Sequence, residues 1–276
     1  LKGEHGLSLH IGLPGHNLLF DTGQSDLFMQ NASLLDIDPG SVDTLVLSHN
    51  HYDHTGGVPF FLKYNKRAKI YAHPKALRQS FSSSKRGIPE SILKKIEVSD
   101  RGIRKIGFDE KTLIQMTKLK DRLVTNRESI RIADNLWLTG EIPRENNFEM
   151  QSGSTFTDSS LTIRDFIPDD QALIVAGKEE IAVILGCCHA GVLNTVEYVG
   201  KIFPGHKVRY IIGGMHLIGS GEARINMVTE YLEQFKGLRV LHGHCTGFKA
   251  GCAINAALKG RAEFLSAGSH YELEIA

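Results

Sequence analysis

The sequence predicts an α+β fold in which helices pack outside two central sheets. Three observations predict it. Short strand-like apolar runs come first, then alternate with helical runs, and a similar order appears in each half of the chain. The 276 residues are 41% hydrophobic with 28 glycines, ordinary for a globular chain with a full core. Histidines with neighbouring glycines collect directly after several strand-like runs.

The elements follow in order. Leu7–Ile11 and Asn17–Asp21 read as strands with the turn Leu13-Pro14-Gly15 between them, as in a hairpin. Leu27–Leu35 has helical spacing, Thr44–Leu47 is a buried-type strand, and Gly57–Tyr64 is a helix. Lys69–Ala72 returns as a strand, and Pro74 can start a further helix. Later, Leu136–Thr139, Leu161–Ile163, Ala172–Ala176 and Ile181–Leu185 read as strands. Val192–Ile202 reads as a helix, Val208–Ile212 as a strand, Ile225–Phe235 as an amphipathic helix, Leu238–Leu241 as a strand and Ala250–Leu258 as a helix.

Charge is uneven although the net is only +1. Residues 63–131 hold 19 Lys/Arg against 7 Asp/Glu, and the remainder is acidic. This stretch reads as a basic, mostly helical insertion or cap at about residues 75–132 within one domain, 1–276. As a lid it would receive an anionic group, with Lys85-Arg86, Lys94-Lys95, Arg144 and Arg164 as candidates. It lacks the aromatic clusters of a single-strand binder, which argues against nucleic acid as partner. No apolar run reaches the ~18 residues of a membrane span. No secretory or transit segment opens the sequence, and the four cysteines sit in only two places, so reduced thiols and a cytoplasmic location are expected.

The strongest local signal is Ser48-His49-Asn50-His51-Tyr52-Asp53-His54-Thr55-Gly56-Gly57. Three imidazoles and a carboxylate within six residues make a poor core and a good divalent-metal site. Period-two geometry places His49 and His51 on one side while the chain stays extended, and the following turn brings Asp53 and His54 beside them. Three further histidines follow strands: His189 in Gly186-Cys187-Cys188-His189-Ala190-Gly191, His216 in Gly213-Gly214-Met215-His216-Leu217, and His244 in Gly243-His244-Cys245-Thr246-Gly247.

Together these residues resemble the metallo-β-lactamase superfamily. The motif His-x-His-x-Asp-His is complete as His49, His51, Asp53 and His54, and Leu19-Phe20-Asp21-Thr22-Gly23 also matches. The resemblance implies an αββα sandwich with one or two divalent metals, zinc first and iron or manganese as alternatives. It implies His49, His51 and His189 for the first metal, and Asp53, His54 and His244 for the second, with Asp21 orienting a ligand histidine. The usual Gly-His-x-x-Gly turn is missing where Pro168-Asp169-Asp170-Gln171 stands, and the usual Gly-Asp strand end is Gly186-Cys187. Cys187 is therefore a further candidate ligand in place of the bridging carboxylate. The motifs around His5 (Glu4-His5-Gly6), His189, His216 and His244 look like the dihydropterin ribofuranosylaminobenzene-phosphate synthase-like branch.

The resemblance implies a metal-dependent hydrolase, or a mechanistically related transferase, acting on a small anionic compound that is phosphorylated, an ester or pterin-related. A divalent metal would act as a Lewis acid and lower the pKa of bound water, with Asp53 accepting a proton or holding metal. His216 is expected to bind substrate or stabilise developing negative charge, and His5 has a weaker claim as a substrate contact. The alternatives are a phosphodiester- or RNA-processing nuclease of the same fold, and a non-enzymatic metal sensor.

Overall fold

The apolar runs pair into three sheets in a computed structural model that describes residues 1–85, 91, 95, 97–146, 148–149 and 155–276. The chain divides into two compact units. The first comprises residues 8–125 and 152–169, the second residues 1–7, 126–151 and 170–276.

In the first unit, β1 (Leu9–Leu13) and β2 (His16–Phe20) form the expected hairpin, one residue pair tighter than anticipated because Leu13 pairs with His16 and only Pro14-Gly15 turns. β2 continues into a parallel row with β3 (Thr44–Val46), β4 (Lys69–Ala72) and β7 (Leu123–Thr125). Parallel pairing requires crossover connections. Helix α1 (Leu27–Leu34) joins β2 to β3, and α2 (Tyr52–Thr55) with α3 (Val58–Tyr64) joins β3 to β4. Pro59 sits in the first turn of α3, where its missing N–H is harmless. Leu45, Val58, Phe61, Ile70 and Met116 bury the sheet and helices together. A small sheet of β5 (Phe81–Ser83), β6 (Ile103–Lys105) and β10 (Thr155–Phe156) completes the unit.

Three expectations are corrected here. Leu161–Ile163 is not a strand: the Asp158 carboxylate accepts the Thr162 and Ile163 N–H groups and turns the chain, with Leu161 at φ 56°. Although burial opposes it, hydrogen bonds from these N–H groups and from the Ser160 and Thr162 hydroxyls hold the Asp158 carboxyl well below its ordinary range. Pro74 starts only a three-residue 3-10 turn, Pro74–Ala76. Within 75–132, expected mostly helical, the described residues hold β5, β6, β7 and an edge strand of the second unit beside one eight-residue helix, α4 (Glu110–Thr117). Asp109 caps α4 by accepting the Thr112 N–H. Arg86 and Lys94 lie outside the described residues.

The second unit is built on a seven-stranded sheet. Its antiparallel edge runs β8 (Ile130–Ala133), β9 (Leu136–Leu138), β11 (Leu173–Ala176) and β12 (Glu180–Leu185). From β12 the order is parallel through β13 (Lys207–Gly213), β14 (Arg239–His242) and β15 (Ala262–Phe264). Helices α5 (Val192–Ile202), α6 (Glu222–Glu233) and α7 (Phe248–Leu258) are the crossovers. Val192, Val196 and Val199 place one stripe of α5 in the core, at the spacing that shares a helix face. The buried Glu149 carboxylate accepts the Leu193 and Asn194 N–H groups, satisfying the first turn of α5.

Ile211, fully buried in β13 between two parallel neighbours, anchors this core. Ile211→Ala should remove about 2–5 kcal/mol of stability. Phe248→Ala, at an 80% exposed position, should stay within about 0.5 kcal/mol of the parent. Urea unfolding of both variants checks the contrast.

Candidate functional site

In the first unit the histidine motif is assembled where β2 and β3 end side by side. Asp21 follows β2 at φ 59°, and its N–H donates to the Val46 carbonyl. The buried Asp21 carboxylate accepts three hydrogen bonds: from Ser48 N at 2.7 Å, Ser48 Oγ at 2.7 Å and His54 Nδ1 at 2.7 Å. A carboxylate has no proton to give, so His54 carries its proton on Nδ1 and presents Nε2 as an electron-pair donor. Ser48 Oγ has a single proton and donates it to Asp21, so at 2.9 Å from His49 Nδ1 it must accept. His49 is thereby also fixed with Nε2 unprotonated. This is the tautomer a metal ligand needs.

The rings converge. His49 lies 4.6 Å from His51 and 4.3 Å from His54, centroid to centroid. His54 Nε2 stands 3.8 Å from Asp53 Oδ2. His51 ends the extended stretch at φ −65°, ψ 144°, and α2 begins immediately after it, so Asp53 and His54 turn back toward His49. Gly56 and Gly57 are required by close approach: a Cβ on either would lie 2.2 Å from the Gln24 or Thr22 carbonyl oxygen. Thr22 N and Oγ1 both donate to the His54 carbonyl, at 2.8 and 2.9 Å.

A second layer was not visible in the sequence. Asp169 Oδ2 accepts the Asn50 N–H at 2.9 Å, holding the His49–Asn50 peptide. Arg78 donates to Asp169 at 2.9 Å and to Asp165 at 2.7 Å. Burial pushes the Asp169 carboxyl up, against the pull of the Arg78 charge. Burial also works against Asp165, but its hydrogen bonds and the charge of Arg78 hold its carboxyl below the ordinary value.

In the second unit, β12, β13 and β14 run parallel, so their C-terminal ends and the segments after them share one sheet edge. His189, His216 and His244 lie on these segments. The strand does not continue past Leu185 to put Cys187 and His189 on one face. A left-handed residue, Cys188 at φ 59°, achieves it instead. Ligand-capable atoms of Cys187, His189 and His216 lie within 4.8 Å of one another. Cys187 Sγ is 3.4 Å from His244 Nε2, and the His244 ring is 5.2 Å from that of His5. The Ala190 N–H, beside His189, donates to Asp170 Oδ2 at 2.8 Å.

The cysteines differ sharply. Burial, with the nearby Asp170 charge, pushes the Cys188 thiol well up. Burial opposes Cys245 as well, but hydrogen bonds involving Cys187 and His216 and the His244 charge hold its thiol well below the ordinary value. Cys245 Sγ accepts the His216 N–H at 3.2 Å.

Thus His49, His51, Asp53 and His54 lie together in the first unit, with Asp21 orienting His54 directly and His49 through Ser48. Cys187, His189, His216 and His244, with His5 nearby, lie together in the second. Ser48, Asn50, Arg78, Asp169 and Asp170 were missed as positioning groups. The Asp169-Asp170 pair was noticed only for lacking a histidine.

Residues 3–117 match the model of the metallo-beta-lactamase superfamily. The chain belongs to the metallo-β-lactamase superfamily and has its fold. Within it the chain groups with the dihydropterin-synthase-like branch. It is 32% identical to the 7,8-dihydropterin-6-methyl-4-(beta-D-ribofuranosyl)-aminobenzene-5'-phosphate synthase of Methanocaldococcus jannaschii, over 96% of this chain and 88% of that one. The solved structure of Tm1679, described as a metal-dependent hydrolase of the beta-lactamase superfamily, is 27% identical, with a TM-score of 0.77 over 99% of this chain and 93% of that one. Zinc-bound PqqB from Methylobacterium extorquens shares the fold at 14% identity and a TM-score of 0.53, over 96% of this chain and 87% of that one. Among the described residues no helix is long and apolar enough to cross a membrane.

Arg78→Ala would leave two buried acids facing each other, and should destabilise the chain by about 3–5 kcal/mol near neutral pH. The folded-state value of Asp165 is depressed, so the stabilisation it contributes is full above its unfolded value of 3.8 and is lost as pH falls through the folded one. The gap between variant and parent should therefore narrow below about pH 4. Urea titrations at several pH values test this, and a gap constant from pH 3 to 7 would remove the charge role.

Proposed function

We propose that this chain is a metal-dependent hydrolase, or a transferase of related mechanism, acting on a small anionic compound of pterin-related chemistry. The observation that carries the reading is the hydrogen-bond chain from Asp21 through Ser48, which fixes His49 and His54 with their Nε2 atoms as electron-pair donors. A core histidine does not need that arrangement, whereas a metal ligand does.

The residues fit a divalent ion of the zinc, iron or manganese kind. Imidazole nitrogens, a carboxylate and a thiol are the donors such ions take, and the hard, all-oxygen set of magnesium or calcium is missing among these residues. Carrying the superfamily's motif onto this sequence, His49, His51 and His189 would hold one ion and Asp53, His54 and His244 the other. Cys187 stands where the usual pattern has its bridging aspartate. A bound ion would supply Lewis acidity toward the substrate and its water. Asp53, whose carboxylate lies near His54, would hold a proton or an ion at Oδ2.

The end-to-end similarity to a pterin-aminobenzene-phosphate synthase supports a transfer reaction on a dihydropterin with an aminobenzene phosphate partner. The similarity to a structure described as a hydrolase supports the simpler reaction with water. Product analysis separates them. A screen of dihydropterin with the aminobenzene partner, beside phosphodiesters, thioesters and lactones, should give either a coupled product or a hydrolysed one.

Elemental analysis of the washed chain should find about one to two divalent ions per molecule. His51→Ala should lose metal while the fold persists, and Asp21→Asn should weaken retention against a chelator by about 10–100-fold. Unchanged metal content in His51→Ala removes the reading.

A further inference from the structure

We infer that Phe248, backed by Phe264 and flanked by Ile218, forms a stacking shelf in the second unit for the flat ring of the substrate. This rests on the reading above and deepens it, because it names the residues that grip the ring rather than the metal.

Exposed apolar side chains are gathered here. Phe248 is 80% exposed, Ile218 61% and Phe264 40%. Single exposed hydrophobics need no explanation, whereas grouped ones mark a surface that meets something apolar. These three are neighbours in structure although two of the intervals between them in sequence are long. The Phe248 and Phe264 rings are nearly parallel, at 21°, with centroids 6.0 Å apart. That separation lies in the range of offset stacking. The Ile218 N–H donates to the Cys245 carbonyl at 3.0 Å. Ile218 lies against Gly247, the residue before Phe248, where an added Cβ would stand 3.1 Å from the Ile218 Cβ.

The shelf is held from behind. The His242 ring meets Phe264 edge to face, 4.5 Å between centroids, and its Nε2 donates to Asn255 Oδ1 at 2.8 Å. Helix α7 closes on both rings at Gly251, where a Cβ would lie 2.4 Å from Phe264 Cε1 and 2.7 Å from His242 Cε1. Phe248 is the first residue of α7, entered through Gly247 at φ 75°. A ring wedged in this way loses little freedom when a ligand arrives, so the contact is preorganised.

Position selects the occupant. Phe248 follows His244 by four residues, and Ile218 follows His216 by two. The shelf therefore continues from the strand ends that carry the donors of this unit. Apolar and aromatic walls beside a few polar groups are the composition of a small-molecule site. Stacking on an open aromatic face suits a flat ring and tolerates different ring chemistries. A stable contact between two copies of the chain needs roughly 800 Å² from each, more than three partly exposed side chains present.

Binding of three probes to the metal-loaded chain tests this: pterin, followed by its own fluorescence, 4-aminobenzoate, and ribose 5-phosphate as an anion without an aromatic ring. Phe248→Ala should weaken binding of both ring probes by about tenfold or more, and Phe248→Tyr should retain it. Ribose 5-phosphate affinity and metal content should stay at the parent values, readouts that a general collapse of the site would move. No ring probe bound by the parent, or equal ring affinity in Phe248→Ala, overturns the proposal. So does a loss shared equally by ribose 5-phosphate or by metal content. A variant that dissociates in sedimentation while its ring affinity is unchanged also overturns it, and gives the surface to a second copy. Failure of the functional reading shows separately, as unchanged metal content in His51→Ala.

Discussion

The buried charge of Asp21 is the constraint around which the first unit is arranged. A carboxylate removed from water needs several donors, each charge-assisted hydrogen bond contributing roughly 1.5–3 kcal/mol. Here the donors are the main chain and hydroxyl of Ser48 and the ring of His54. Satisfying the acid thus fixes three other things at once. It sets the direction of the chain after β3, the proton position on His54 and, through the single hydroxyl proton of Ser48, the proton position on His49. The left-handed backbone of Asp21 and the glycines at 56 and 57 follow from the same demand, because the Asp-Thr-Gly turn and the start of the helical segment must nearly touch.

In the second unit the ordering device is the parallel sheet. Strands that run the same way deliver their last residues to one edge, so three segments far apart in sequence place Cys187, His189, His216 and His244 there. Their precision comes from strain rather than from regular structure. Cys188, His216 and His244 all take positive φ, and the closely packed Gly214 and Gly243 stand within two residues of His216 and His244. The unit's core supports that strain: β12 and β13 are buried along most of their length and flanked by α5, α6 and α7.

Much of this was legible in the sequence. Val192–Ile202 appears as one helix with the anticipated ends, and Lys69–Ala72 as one strand, because long or strongly apolar runs have few alternatives. The strands β5, β6, β7 and β10 were missed because two or three residues carry no period. Leu161–Ile163 read as a strand because hydropathy cannot register a carboxylate folding the chain onto its own amides. The histidine motif was legible because it is contiguous. Its support was not, since Asp169 reaches Asn50 across 119 residues and Arg78 reaches Asp169 across 91.

That long reach gives a physical meaning to the departure at Pro168-Asp169-Asp170-Gln171. The superfamily's usual turn there carries a histidine, and this chain has two consecutive acids. Each accepts a main-chain N–H beside a histidine of its own unit: Asp169 from Asn50, between His49 and His51, and Asp170 from Ala190, next to His189. A peptide held by a buried carboxylate cannot rotate, so the side chains on either side of it keep their directions. The turn therefore acts through peptide planes instead of through a ring nitrogen.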